Sequence, residues 1–366
     1  MKTKKYLPLI TIILLLVSGF LRTLFNLSVH FSEFYTLKIA PLFRIPLSLL
    51  TYPFPFSVFE SVVLIFSLFV LMTLLSGVKI VLDKILRLKK RSYFKVYLKI
   101  VLYSISFAFI IFVFSFEASY KRNSIDKNIG LEKVEMNKEN ISLALDIVLD
   151  EIEIIKDEID FTPYRESVLP LSFNELKKEM MYCTDKANDK YNYLQEFSSP
   201  AKPIAFSAPL AYTGISGIYG FLTGEANINT VFSDYTIPFT MAHEYSHQRG
   251  IGPENEAEFS AFLICLESDV PYVRYSAYSQ VAVTLANLLY EYDENLFYEK
   301  LFSFPDLLYY DIVISAKNYE EYSKTVVDEV ASSINNAYLI SNGDEGVISY
   351  SLSSELYVSY LLKGVN

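Results

Sequence analysis

Three long apolar stretches crowd into the first third of the chain, and they constrain its fold more than any other feature. They run from about Tyr6 to Phe25, from about Phe56 to Val81 and from about Val96 to Phe116. Crossing the hydrocarbon core of a bilayer takes about 20 mainly apolar residues of helix, and a helix satisfies its own backbone polar groups there. Each stretch meets that length. Arg22 in the first, and Glu60 and Lys79 in the second, lie near ends from which they can reach the interface. The basic start, Lys2, Lys4 and Lys5, also suits a cleaved signal peptide. The apolar run is long, however, and no small-x-small cleavage site follows it, so a retained anchor is expected.

Lysine and arginine placement sets the expected orientation, because cytoplasmic loops carry an excess of both. Between the second and third stretches stand Lys84, Arg87, Lys89, Lys90, Arg91 and Lys95, whereas the aromatic loop between the first and second holds only Lys38 and Arg44. The N-terminus and the basic loop are therefore expected in the cytoplasm, and three crossings put everything after about Glu117 outside. The expected organisation is a membrane anchor over 1–116, with transmembrane helices at about 6–25, 56–81 and 96–116. An extracytoplasmic domain over 117–366 follows, in a multi-pass protein of the cell membrane whose partners include the lipid bilayer.

The later part is acidic. The net charge of the 366 residues is −10, with Asp and Glu clustered beyond residue 130 and no basic face, which argues against nucleic acid as a partner. The two cysteines, Cys183 and Cys265, form no CxxC pair, so neither a thiolate zinc site nor a redox motif can be built. Cys265, in the apolar run AFLICL, reads as a buried free thiol. A Cys183–Cys265 disulfide is the alternative in an oxidising compartment.

Periodicity predicts an acidic amphipathic helix from Leu131 to about Asp160, broken by Pro163, and another near Phe173 to Met181. Between Ala205 and Phe232, glycines at 214, 217, 220 and 224 alternate with β-formers, the pattern of a hairpin or small sheet. Pro238 then opens a helix. The remainder, to about Tyr360, reads as mainly helical, with breaks at Pro271, Pro305 and the SNGDEG turn around Gly343.

The chain has only three histidines, and two of them, His243 and His247, stand four residues apart around Glu244 in AHEYSH. One helical turn apart, both imidazoles project from one face and can hold one zinc ion, with Glu244 able to take a proton from a metal-bound water. A third ligand is needed. Gly250 and Gly252 end the helix, Pro253 suits the first turn of the next, and the acids that follow are Glu254, Glu256 and Glu258. The spacing of many zincins makes Glu254 the ligand, Ala257 a small packing position, and Glu258 the acid that orients a ligand histidine. Taking NEA as the signature makes Glu256 the ligand instead. Acids in a first helical turn also suit the helix dipole without any metal. Three protein ligands leave a fourth position for water, which marks a catalytic rather than a structural site.

Together TGEANINT, AHEYSHQRGI, ENEAEFSAFL, RYSAY and the closing NAYL…NGDEGVISYS resemble the bacterial membrane proteins called domain of unknown function 3810. Those proteins are similar to HExxH zinc peptidases of the gluzincin kind and carry N-terminal membrane spans. The resemblance covers nearly the whole chain. It implies a mainly α fold: three N-terminal transmembrane helices, then a zincin-like (gluzincin-type) α+β catalytic domain with a small β-sheet and a helical C-terminal part. The family's acidic block reads more like EDEAN, so Glu258 stands here where asparagine is common. Gluzincins commonly carry an edge strand upstream of the metal helix that pairs with an extended substrate. The resemblance implies that Gly224 to Thr230 is that strand and that Glu225 and Asn227 orient the peptide. A plain turn and strand is the alternative. An oxyanion donor is also required. His30 lies beside the first span, which leaves Arg274, Tyr275 and Tyr278 in VRYSAYSQ as candidates.

The expected function is a membrane-anchored zinc metallopeptidase acting on a peptide or protein, with Glu244 as general base. The alternative is a membrane-bound zinc-containing sensor or maturation factor that binds with little or no turnover. An intramembrane protease fits less well, since DYTIPFTMAHEYSH is too short and polar to cross a bilayer. A structural membrane protein with a decayed site is the last possibility.

Overall fold

A computed structural model describes residues 6–87, 92–323, 325–344 and 349–363. Lys2, Lys4, Lys5, Lys89, Lys90 and Arg91, on which much of the expected orientation rests, lie outside the described residues, as does the end of the SNGDEG turn. The first part of the chain folds into α1 (Leu7–Leu27), α2 (Val29–Phe34), α3 (Pro41–Thr51), α4 (Val58–Ile85) and α5 (Phe94–Ser115). Among the described residues, α1, α4 and α5 are long and apolar enough to cross a membrane, with mean hydropathies of 2.1, 2.5 and 2.2. Their limits fall close to the expected ones. The segment between α1 and α4, read from sequence as an aromatic loop, is instead helical throughout most of its length, with a π-turn at Tyr35–Ile39 joining α2 to α3.

The rest is mainly helical around a small sheet. In chain order it comprises α6 (Ile125–Ile129), α7 (Lys138–Ile155), α8 (Phe173–Tyr191), β1 (Lys202–Pro203), α9 (Ser207–Ala211), β2 (Gly217–Gly220) and β3 (Glu225–Ile228). There follow α10 (Ile237–Gln248), α11 (Glu254–Leu266), α12 (Pro271–Tyr292), α13 (Glu294–Leu301), α14 (Asp306–Glu320), α15 (Val326–Ser341) and α16 (Ser349–Leu361). Pro271 opens α12 and Pro305 precedes α14, as their fixed φ and missing N–H favour.

Two helices differ from the expected limits for local reasons. α7 begins at Lys138 rather than Leu131 because the Asn137 side chain accepts the Asn140 N–H and caps it there. α8 starts where expected, with a Ser172–Glu175 capping box, but runs on to Tyr191 and stops at a left-handed Asn192. Its second half keeps an apolar stripe, Met180, Cys183 and Ala187, which is fully buried against α11. Cys183 and Cys265 are both buried free thiols.

The main core is built from α7, α8, α10, α11, α12 and α16. Residues such as Ile141, Leu145, Met180, Phe259 and Leu285 are fully buried there, each contributing about 1.5–3 kcal/mol through removal of apolar surface from water. A second cluster unites Phe25, Tyr35, Phe112, Phe116 and Tyr219, and so ties the apolar helices to the sheet.

Among the described residues the sheet has three strands in the order β1–β3–β2. β2 and β3 form the expected antiparallel hairpin, pairing Gly217 with Ile228 and Gly220 with Glu225, while β1 runs parallel to β3. This corrects one expectation: the strand within Gly224–Thr230 is central, flanked on both sides, and the outer strands are β1 and β2.

Candidate metal centre

α10 is a central helix. From Ile237 to Gln248 every residue except Thr240 is buried, so it shows no amphipathic stripe. Its polar side chains are therefore held by specific partners. Tyr245 accepts the Ala201 N–H at 2.8 Å, and Ser276 Oγ accepts the Phe239 N–H at 3.1 Å. The helix ends where the Ile251 N–H bonds back to the Ser246 carbonyl across a left-handed Gly250. Pro253 then turns the chain into α11, whose first residue is Glu254. That turn brings the start of α11 back beside the histidine face of α10.

Three atoms converge there. His243 Nε2 stands 3.0 Å from His247 Nε2 and 3.1 Å from Glu254 Oε2, and His247 Nε2 is 3.4 Å from the same oxygen. His247 Nδ1 lies 2.8 Å from the Ile251 carbonyl. A carbonyl only accepts, so Nδ1 carries the proton and the Nε2 lone pair faces the cluster. Lone pairs crowded this closely in a buried site repel unless a proton or a cation lies among them. Zinc bonds of about 2.0–2.1 Å in a tetrahedral site would separate ligand atoms by about 3.3 Å, which matches this spacing and donor set. Among the described residues, His243, His247 and Glu254 are the group that could hold a metal ion. The two imidazoles outweigh burial and hold the Glu254 carboxyl well below its ordinary range.

Glu256 is not beside the imidazoles. It points from the opposite side of α11 towards Arg122, Asp126 and the backbone of Ile125, and burial pushes its carboxyl up to about 8. Glu258 Oε1 stands 3.5 Å from His243 Nδ1, too far for a hydrogen bond, and the Tyr357 hydroxyl is its other neighbour. Glu244 faces a cavity of about 720 Å³ that also exposes His243, His247, Glu254 and Glu258. Burial, opposed by the imidazoles, raises its carboxyl to about 7. β2 lies directly over it. A Cβ built on Gly217 would come within 2.6 Å of Glu244 Oε1 and 2.8 Å of the Thr240 methyl, so only glycine fits.

The remaining sequence candidates lie elsewhere. Glu225 is fully buried and accepts the Val58 and Phe59 N–H groups at the start of α4, at 3.2 and 2.7 Å, while pairing with Lys202. Asn227, also fully buried, donates to the Ile218 and Glu225 carbonyls. Arg274 donates to the Ser268 carbonyl, Tyr275 to Asp311 and Tyr278 to Glu151. None of these five lines the cavity. Their placement gives no support to the expected substrate and oxyanion roles: each bonds instead to neighbouring backbone or side chains.

Two tyrosines line the cavity instead. Tyr120, in the 3-10 turn Glu117–Lys121 just after α5, donates to the Tyr338 hydroxyl at 3.2 Å, which leaves the Tyr338 hydroxyl hydrogen to point at a group in the cavity. Both feel the Glu254 charge, and burial raises both phenols. Tyr338 sits in the NAYL block; Tyr120 had no sequence signal beyond its place after an apolar run. A further wall comes from Phe59, Phe116, Ile218, Tyr219, Phe221 and Phe239.

Residues 35–358 match the family described as Protein of unknown function (DUF3810). No curated protein and no solved structure matches the chain.

Proposed function

The chain belongs to the DUF3810 family, and on that premise we propose that it is a membrane-anchored, zinc-dependent metallopeptidase. The observation that carries the reading is the convergence of His243, His247 and Glu254 beside Glu244 in one cavity. His243, His247 and Glu254 would hold the ion. When bound, zinc supplies Lewis acidity, which acidifies water and polarises a scissile carbonyl.

The protein's own residues do the rest. Glu244 takes a proton from the attacking water as the water oxygen bonds to the carbonyl carbon. It passes that proton to the leaving amine as the C–N bond breaks. The Tyr338 hydroxyl, held by Tyr120, donates to the oxygen that gains charge. The outer edge of β2, which borders the cavity, pairs with the substrate in extended form. The lysine and arginine distribution supports a site on the extracytoplasmic face of the cell membrane.

Metal analysis of the detergent-purified full chain, with turnover of a peptide library, tests this. About one zinc per chain is expected, and Glu244→Gln should keep the metal while losing roughly 10²–10⁴-fold in turnover. A chain without zinc at neutral pH, or a Glu244→Gln variant with undiminished turnover, overturns it. Biological function retained by that variant would point instead to a binding role.

A further inference from the structure

α3 is inside out. Its polar stripe, Arg44, Ser48 and Thr51, faces the protein, where Arg44 donates to the Gln195 side chain, Ser48 to the Gly224 carbonyl and Thr51 to the Thr223 carbonyl. Its leucines face outward: Leu42 is 70% exposed, Leu49 52% and Leu50 72%, against 2% for Arg44. In water that polarity is reversed from what burial of apolar surface favours; against acyl chains it is the favourable one. At 11 residues, about 16 Å, α3 is too short to cross a bilayer, so it lies within one leaflet. Phe43 of α3 meets Phe114 of α5 edge to face at 5.1 Å between ring centroids, which brings lipid to the level of the last turn of α5.

The candidate metal centre begins at that same level. Phe116, two residues beyond Phe114, contacts the His247 ring at 6.1 Å between centroids. On the other side, Phe59 in the first turn of α4 walls the cavity, one turn before Val63, where the exposed apolar face of α4 begins. The sheet cannot float away from these helices. Glu225 holds the start of α4, Glu60 of α4 accepts the Ala205 and Phe206 N–H groups at 3.0 and 2.7 Å, and Lys202 donates to the Thr51 carbonyl at 2.6 Å. The polar headgroup layer is about 5–7 Å deep per leaflet, and Phe59 and Phe116, which wall the cavity next to the apolar helices, stand at its depth.

Resting on the peptidase reading above, we propose the substrate class: the stretch of a polypeptide that directly flanks one of its own membrane-embedded helices. Such a stretch is held at headgroup depth by its anchor, whereas a soluble peptide must enter that layer unaided. The aromatic wall favours bulky apolar side chains beside the bond that is cut.

The test uses the zinc-loaded full chain in phospholipid nanodiscs. A pool of random sequences about ten residues long is supplied in two forms, free or fused to a membrane-spanning helix through spacers of about 0, 15 and 40 residues, which reach up to about 3.5 Å per residue. Mass spectrometry reads the cuts. Cleavage within about ten residues of the anchor, with free peptides cut at least about tenfold more slowly, supports the proposal. Free peptides cut as fast, or cuts spread evenly along the longest spacer, overturn the substrate class and leave the peptidase reading standing. No cleavage of any form removes that reading and the proposal with it. A measurement independent of turnover places the cavity. Cys183 and Cys265 are buried, so a fluorophore can be attached at Ser332→Cys on the exposed rim. Quenching by headgroup-labelled lipid is expected, and its absence overturns the proposal.

Discussion

Glu254 and Glu256 are two residues apart in one helical turn, yet their chemistry is opposite. Two residues is about 200° around a helix, so one faces the imidazoles and the other Arg122 and Asp126. Sequence spacing reduced the third ligand to these two acids but could not choose, because the choice depends on how the Gly250–Pro253 turn rolls α11 against α10. The histidine pair was legible since both members share one helix. The oxyanion candidates were not: with 29 tyrosines in the chain, nothing local distinguishes Tyr338 from Tyr275. Two outcomes follow at this scale. Burial keeps Glu256 protonated to about pH 8, well above the value of about 4.3 in an unfolded chain. The folded state therefore binds the extra proton, and the stability this lends is complete below the unfolded value and lost as pH rises through about 8. Glu256→Gln should match the wild type in melting temperature near pH 4, exceed it increasingly as pH rises above that, with the full advantage reached by about pH 8, and leave zinc content at neutral pH unchanged, all measured on the full chain in detergent. Tyr338→Phe should keep the metal and KM while lowering kcat by about 10²–10³-fold, the usual loss for one oxyanion donor.

Elements were easier to read than their neighbours. The apolar lengths gave α1, α4 and α5 to within a few residues, and the glycines between β-formers gave the β2–β3 hairpin. The order of the strands was not legible, because β1 is two residues of Lys-Pro that carry no strand signature. Its parallel pairing turns β3 into the middle strand and leaves β2 on the rim of the cavity. The helical nature of residues 28–57 was hidden for a different reason: an inverted stripe of Arg44, Ser48 and Thr51 looks like loop polarity when water is taken as the solvent. Gly217 makes the strand assignment testable. Gly217→Ala puts a methyl group against Glu244 and Thr240. Turnover should fall at least about tenfold with zinc retained and the melting temperature lowered by only a few degrees, on the order of 1–3 kcal/mol of overpacking. An unaffected kcat would show that β2 does not seat on Glu244.

For the whole molecule, a division at residue 117 suggests an anchor and a separable domain, and the contacts argue against separability. Arg44 and Thr36 engage Gln195 beside the end of α10. Glu33 pairs with Arg122, which in turn donates to the Gly250 carbonyl at the turn that aims Glu254. Lys202 and Glu225, buried as a pair, spend their remaining bonds on Thr51, Val58 and Phe59. Cutting the chain before Glu117 would strip partners from Arg122, Lys202 and Glu225 at once. Arg122 would be left as a buried charge without Glu33, at about 3–5 kcal/mol, and the buried Lys202–Glu225 pair would lose its hydrogen bonds to Thr51, Val58 and Phe59, at about 1–3 kcal/mol for each group left unsatisfied, so the losses together approach the roughly 5–15 kcal/mol by which a whole domain is stable. A 117–366 fragment should therefore be recovered aggregated or without cooperative unfolding, and should bind zinc weakly if at all. Expression of that fragment beside the full chain, followed by size exclusion, thermal melts and metal analysis, checks this. A soluble fragment that melts cooperatively and holds one zinc would mean that the anchor only tethers the site, whereas the failure expected here would mean that the membrane helices build it.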